Sequence, residues 1–404
     1  MRSPHRTIRM LLAVGLFAGL CLVVAIHGDG YGGLVAIGCT SLAYRDKSDR
    51  VYFGRTLELA YDLPYQLGWV PAGQAFASEV PGAAPLRWTS RHGMLAVAVP
   101  DRAPAAGAPL TLDDFKVLEG LNDAGLSFSL LSYPSAEGAK VALDQTRAAL
   151  SAVDLGAWTL GQFDSVAAVR AALAEQPVVL TPLAQLGGAR APFHYVLHDR
   201  SGAAIVIEFS DGRETVHDNP VGVMTNGPAF DWHLVNLANY THLTNLDRSA
   251  GAFGSLKVRQ PDSGIATAGL PASNTSVGRF VRAAYYAQFA EVVDEPDAAV
   301  RALARIMDNF DRPKGVTIDA PDGGADPEAG TTGSGALYST EFTAWTILSD
   351  LERRRAFLRT YEGLNYTGFD LAALDAVQEV RIMPLAALGG LAPDGTAALT
   401  AAAA

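Results

Sequence analysis

Both cysteines of this chain lie near its start, and one of them is buried in an apolar leader, so disulfides offer no help in holding a fold together. Cys21 sits within an uncharged apolar run, Met10 to Ile26, behind a positive segment made by Arg2, His5, Arg6 and Arg9. That order of charge and apolarity reads as an export leader. A Gly-rich stretch from Gly28 to Gly33 follows, and then Ala36-Ile37-Gly38 directly before Cys39. Small residues at Ala36 and Gly38 suit a signal peptidase cut in front of Cys39. The apolar run is long for a signal peptide and short for a comfortable membrane span. Upstream cleavage with later trimming, and a retained membrane anchor, are the alternatives left open. Loss of residues 1–38 leaves one thiol, at the first position of the mature chain.

Such a chain depends on its apolar core, and 49% hydrophobic residues in a length of 404 supply one. Only 18% of residues are charged, which fits a globular rather than a disordered chain. The net charge is −11, and the one basic cluster, Arg353–Arg355, is too short to follow a phosphate backbone. Nucleic acid is therefore excluded as an expected partner, and the membrane is met only through the leader.

Thr40–Tyr44 and Val51–Arg55 predict a hairpin about the polar turn Arg45-Asp46-Lys47-Ser48-Asp49. Gly125–Ser132 predicts another strand after a turn at Asn122-Asp123-Ala124-Gly125. Leu155–Leu160 and Val166–Leu173 have helical spacing, with Ser165 as N-cap of the second. Phe193–Leu197 and Ala203–Phe209 form a second predicted hairpin, and Val221–Thr225 a short strand. Arg279–Val292 places Phe280, Ala283, Ala284 and Ala287 on one helical face, and Pro296 opens a helix to about Asn309. Phe342–Leu351 and Ala356–Tyr361 read as a final strand pair. The stretch from Pro64 to Pro85 is mixed, while Ala103–Pro109 and Asp319–Gly335 read as loops. Hairpins with intervening helices and no linker imply an α+β fold in a single domain, 39–388, followed by a low-complexity tail, 389–404.

Several constellations are missing: GxSxG, HExxH and the P-loop do not occur. Gly28-Asp29-Gly30-Tyr31-Gly32-Gly33 satisfies GxGxxG, but it follows an apolar leader and precedes a strand, which argues against a dinucleotide site. His194 and His198, four apart on a predicted strand, read as a structural or surface pair rather than metal ligands. No cofactor and no metal are expected. What remains is Cys39. As a chain start its α-amine has an intrinsic pKa of roughly 7.7–8.0. That amine serves as general base for the thiol of the same residue, with no histidine required. A nearby cation favours the thiolate. The hairpin carries Arg55 back toward Cys39, although a surface hairpin charge is the alternative reading of that arginine.

Cys39-Thr40-Ser41 followed by Tyr52-Phe53-Gly54-Arg55-Thr56-Leu57-Glu58 resembles the opening of the choloylglycine hydrolase and penicillin V acylase family. The resemblance continues in order through Gly120-Leu121-Asn122-Asp123-Ala124-Gly125-Leu126 and Val223-Met224-Thr225-Asn226-Gly227-Pro228-Ala229-Phe230-Asp231-Trp232-His233. It ends with Gly278-Arg279-Phe280-Val281-Arg282 and Arg359-Thr360-Tyr361-Glu362. It implies a four-layer αββα N-terminal-nucleophile hydrolase sandwich with two stacked, mostly antiparallel sheets. It also implies an amidase in which Cys39 is nucleophile and base, Arg55 sits beside the thiolate, and Arg279 balances charge. Asn226 would donate to the tetrahedral oxyanion, with a backbone N–H as second donor. Read without the family, Asn226 before Gly-Pro is a turn residue, and Trp232 and His233 are packing and capping residues. Two positions depart from the family pattern. Glu58 stands where the family has Asp, and Ser132, in Leu130-Leu131-Ser132-Tyr133-Pro134, stands where many members carry an oxyanion-hole Asn.

The expected substrate is a linear amide with a bulky apolar acyl group, of the penicillin V, acyl-homoserine lactone or conjugated bile salt type. The expected location is periplasmic or extracellular, and family analogy suggests a homotetramer. A second reading treats Leu34-Val35-Ala36-Ile37-Gly38-Cys39 as a loose lipobox and the protein as a membrane-tethered binding or structural lipoprotein. Lipid on the amine of Cys39 would remove the general base, so the two readings exclude each other at one residue.

Overall fold

Val51–Leu59 and Phe342–Asp350 are buried at every position, so each needs a covering layer on both faces. In a computed structural model, which describes residues 38–60, 63–101, 111–138, 147–183, 190, 192–318 and 340–390, these two segments pair at the centre of a six-stranded sheet. Its order is β14 (Val223–Met224), β1 (Gly38–Arg45), β2 (Val51–Leu59), β17 (Phe342–Asp350), β18 (Arg355–Thr360) and β19 (Thr367–Asp370).

An eight-stranded sheet lies against it. One half runs β13 (Arg213–Asp218), β12 (Ala204–Ser210), β11 (Phe193–Asp199) and β8 (Leu126–Ser132). The other half continues with β7 (Phe115–Asn122), β6 (Met94–Pro100), β3 (Gln66–Val70) and β20 (Arg381–Pro384). Every neighbouring pair in the two sheets is antiparallel.

Contacts between the sheets fix their facing sides. Phe53 of β2 packs on the ring of His198 from β11 at 4.5 Å, and Arg55 reaches the carbonyl of Leu130 in β8 at 2.6 Å. Helices α4 (Ser276–Phe289) and α5 (Pro296–Met307) cover the outer face of the six-stranded sheet. Gly54 makes the close approach possible, because a Cβ there would meet Met307 Cγ at 2.9 Å. Helices α1 (Leu155–Gln162) and α2 (Val166–Leu173) cover the other sheet. The result is the expected α+β sandwich of four layers, with helices outside two stacked antiparallel sheets. Shorter pieces complete it: α3 (Phe230–Asn236), α6 (Leu371–Leu374), and a small sheet of β10 (Val178–Val179), β9 (Ala148–Ser151), β5 (Ala84–Thr89) and β4 (Ala75–Ser78). An exposed hairpin, β15 (Ala250–Phe253) and β16 (Leu256–Arg259), projects from the surface.

The predicted hairpins form, with Arg45 opposite Val51 in the first. Ser165 caps α2, accepting from the Ala168 N–H at 3.4 Å. Helix α4 starts earlier than its apolar spacing suggested, because Thr275 accepts from the Gly278 N–H at 3.2 Å and sets the N-cap there. The mixed stretch after Pro64 contains β3, β4 and the start of β5. Gly125 has φ of 82°, and a Cβ on it would lie 2.4 Å from the Leu351 carbonyl oxygen, so the β7–β8 turn requires glycine. Residues 1–37, with the leader and the GxGxxG match, lie outside the described residues. So do the predicted loops 103–109 and 319–335, and the tail beyond Gly390.

Candidate active site

Cys39 is the second residue of β1 and stands opposite Leu57 of β2. Strand alternation places Cys39 and Ser41 on the same face as Leu57 and Arg55, turned toward the second sheet. Arg55, diagonal to Cys39, brings its Nη2 to 3.4 Å from Cys39 Sγ. The same nitrogen donates to the Leu130 carbonyl, and the guanidinium carbon lies 4.5 Å above the Trp345 ring. Arg55 is wholly buried, which removes the alternative of a surface hairpin charge.

Gly38, Thr40 and Glu58 face the other way, toward α4. From that helix Arg279 donates through Nη1 to the Cys39 carbonyl and, at 2.9 Å, to Thr40 Oγ1. Its Nη2 donates to Asn226 Oδ1 at 2.7 Å. Asn226 follows β14 on the edge next to β1. Its Oδ1 also accepts from the Cys39 N–H at 2.9 Å, and its Nδ2 donates to the Ser132 carbonyl at 2.9 Å. The side-chain amide thus bridges Cys39 and Ser132, and one N–H of Nδ2 is left for another acceptor. Glu58, opposite Gly38, accepts from Thr343 Oγ1 at 3.0 Å, while its Oε2 has no hydrogen-bond partner among the described residues. A Cβ on Gly38 would lie 3.1 Å from Glu58 Cβ and 3.2 Å from Arg312 Nη2, so the residue before Cys39 fills the space beside that carboxylate.

The electrostatics follow from depth. Burial pushes the Cys39 thiol up, and Arg55 pulls it back most strongly, with the Ser132 backbone and Arg279 adding to the pull. Burial raises Glu58 too, against the pull of Arg279 and Arg312. Arg279 is pushed down to about 10 by burial, with Glu58 opposing. Above the thiol opens a pocket with about 700 Å³ of empty space including its mouth. Cys39, Arg55 and Ser132 contribute to its wall, and Leu57, Leu59, Leu118, Leu130, Val153 and Phe193 make most of the rest apolar. Lys116 and Asp101 also line it. A thiol beside a guanidinium, at the wall of an apolar pocket, is equipped to attack a carbonyl whose substituent is apolar.

The structure brings together Cys39, Arg55, Glu58, Ser132, Asn226 and Arg279, which the sequence names from five separate segments. His194 and His198 stand apart from this group. His194 bonds Glu208 through Nδ1 and the Thr225 carbonyl through Nε2, each at 3.0 Å, which steadies the approach to Asn226. His198 packs against Phe53. His233 Nε2 lies 2.9 Å from the Asn226 carbonyl oxygen, and its ring stacks on Phe280, so it supports the turn as a packing residue. Asn122 is structural as well: Nδ2 donates to the Leu160 and Phe163 carbonyls, and Oδ1 accepts from the Ala124 and Leu126 N–H groups. Two contributors were not anticipated. Ser276 Oγ accepts from the Asn226 N–H at 3.0 Å, and Glu119 lies behind Arg55. The one sequence signal for Glu119 is an acid placed directly before Gly120-Leu121-Asn122.

Residues 39–378 match the model of the linear amide C–N hydrolases, choloylglycine hydrolase family. A bile salt hydrolase/transferase of Clostridium perfringens is 23% identical over 334 residues, covering 82% of this chain and 92% of its own length. A penicillin V acylase of Pectobacterium atrosepticum is 27% identical over 259 residues, covering 63% and 61%. Among solved structures, a variant of the conjugated bile acid hydrolase from Clostridium perfringens aligns with a TM-score of 0.71 at 21% identity, over 88% of this chain and 100% of that one. The penicillin V acylase from Agrobacterium tumefaciens aligns with a TM-score of 0.65 at 23% identity, over 86% and 92%. At these identities the structural matches speak for the fold.

Proposed function

The chain belongs to the choloylglycine hydrolase family of linear amide C–N hydrolases, and from that premise we propose that Cys39, freed as the first residue of an exported chain, is the nucleophile. The observation that carries the reading is the position of its thiol, 3.4 Å from the Arg55 guanidinium and in the wall of an apolar pocket.

The α-amine of Cys39 takes the thiol proton, and Sγ forms a bond to the amide carbonyl carbon while the carbonyl electrons move onto oxygen. The second N–H of Asn226 Nδ2, with a backbone N–H at Ser132, holds that oxyanion. Collapse breaks the C–N bond, and the ammonium returns its proton to the leaving amine. A thioester on Cys39 remains. Water then attacks it, the amine takes the proton of that water, and the C–S bond breaks to release the acid and the thiolate. Removal of Gly38 opens the space beside Glu58, and its Oε2, which has no hydrogen-bond partner among the described residues, is then available to the new ammonium. Glu58 thereby takes the anchoring role of the shorter Asp expected by family resemblance.

The apolar wall supports a bulky acyl group of the phenoxyacetyl, long-chain acyl or steroid kind. Ser132, in place of the oxyanion-hole Asn that many members carry, favours the penicillin V and acyl-homoserine lactone types over conjugated bile salts. Assembly into a homotetramer belongs to the same proposal and is supported by the exposed hairpin, where Phe253 is 77% and Leu256 62% accessible.

The test has two readings on one preparation. Mass analysis of the exported protein is expected to show a free amine on Cys39, and Cys39→Ser is expected to lose nearly all hydrolysis of penicillin V or a long-chain acyl-homoserine lactone while remaining folded. A diacylglyceryl group on Cys39 would support the lipoprotein reading instead, and undiminished turnover in the serine variant would remove Cys39 from the reaction.

A further inference from the structure

Arg55 is a single buried cation with two neighbours that become anions. On one side lies Cys39 Sγ at 3.4 Å, and on the other Glu119 Oε2 at 3.9 Å from Nε. Glu119 stands on β7, opposite Val97 of β6 and Ser129 of β8, and is wholly buried. The Ser129 hydroxyl donates to its Oε2, and its Oε1 has no hydrogen-bond partner among the described residues. From the facing sheet, Arg55 on β2 is the charged group that meets it, with the titratable Cys39 of β1 beyond. Ser129 on β8 is the polar neighbour in its own sheet.

An isolated guanidinium at this depth is strongly disfavoured unless an anion balances it. Above about pH 8, where its carboxyl is ionised, Glu119 is the anion placed to do so while Cys39 is still a neutral thiol. When Cys39 ionises, it and Glu119 are two anions on the Arg55 guanidinium in a low-dielectric interior, and each disfavours the other, while on the far side of Cys39 the Glu58 carboxylate opposes the thiolate and Arg279 favours it. We infer that Glu119 is a positioning residue of this site: it holds the Arg55 guanidinium between the two sheets and, by sharing its charge, sets how readily Cys39 gives up its proton. Burial pushes the Glu119 carboxyl up to about 8, with Arg55 pulling back, so its charge changes over the range in which a thiol and an α-amine titrate. The inference rests on Cys39 as the reacting thiol, and its consequence is that the acid of one sheet tunes the nucleophile of the other.

The test is the pH dependence of Cys39 alkylation by iodoacetamide across about pH 7 to 11, a range that follows the raised thiol, read by peptide mass so that Cys39 is scored separately from any retained Cys21. Glu119→Gln keeps the shape and removes the charge, and it is expected to move the thiol midpoint down by about one unit, a gain in thiolate approaching tenfold between about pH 8, where Glu119 ionises, and the midpoint. Glu119→Asp draws the carboxylate back toward its own strand and is expected to move the midpoint in the same direction by less, which keeps the test available if the glutamine variant does not fold. A midpoint that stays fixed or rises overturns the inference, including the case in which only thermal stability changes. Alkylation involves no substrate, so this result stands apart from the hydrolysis test of Cys39→Ser.

Discussion

Asn226 makes three side-chain hydrogen bonds, and each leads to a different element: Cys39 of β1, Ser132 at the end of β8, and Arg279 of α4. Asn226→Ala removes the acceptor for the Cys39 nitrogen and a donor available to the oxyanion at one stroke. We expect kcat to fall by about 10²–10³, with a much smaller change in KM, in steady-state kinetics on a chromogenic amide. Equal losses in kcat and in folding would instead make the residue purely structural. Cys39 is readable from the chain itself, as the lone thiol beside a predicted cleavage point, whereas Asn226 and Arg279 are readable only through segments that resemble the family and come in its order. Glu119 is not readable in that way. An acid between Leu118 and Gly120 looks like any solvent-facing strand position, and only the arrival of Arg55 from another sheet gives it a partner.

At the scale of elements, β2 and β11 face each other through Phe53 and His198, and His198 is buried and neutral there. Burial lowers the pKa of His198 to about 4, and that of His233, on α3 and stacked against Phe280 of α4, to about 4 as well. A folded-state pKa below the unfolded value of about 6.5 means that the unfolded chain binds the extra proton. These histidines therefore favour the fold fully above about pH 6.5, and that contribution is lost as pH falls toward about 4. His198→Leu is expected to give a shallower fall of Tm over that interval than the parent protein, and parallel curves would mean that His198 takes up no proton on unfolding. Elements whose patterns alternate or carry caps, such as α2 with Ser165, are legible in the sequence. Met94–Pro100 and Phe115–Asn122 are not: burial on most positions removes the period-two signature, and the two pair with each other without the tight polar turn that marks the equally buried Val51–Leu59.

For the whole molecule, the sandwich creates a pocket between its sheets whose apolar wall draws on β2, β6, β7 and β8 and on chain further along. Leu118→Trp fills part of that space without touching the thiol. We expect at least a tenfold loss of kcat/KM for a phenoxyacetyl amide, taken as roughly the discrimination that apolar pocket volume gives, and little change for a short acyl amide. Equal effects on both would mean that the acyl group lies elsewhere. The α+β class was legible because hairpins and helices alternate along the chain, and the order of the layers followed from the family resemblance, whereas the pocket was not legible, since its wall is gathered from segments far apart in sequence. That same gathering has a meaning in time. Cys39 leaves the ribosome early, yet the Asn226 that holds its nitrogen lies 187 residues later and the Arg279 that holds its carbonyl 240 residues later. At ordinary rates of synthesis the nascent strand waits on the order of 10–50 s for those partners. Until then the nitrogen and the carbonyl of Cys39 lack their side-chain partners, so the geography of the fold completes the site only after residue 279 of the 404 has been added.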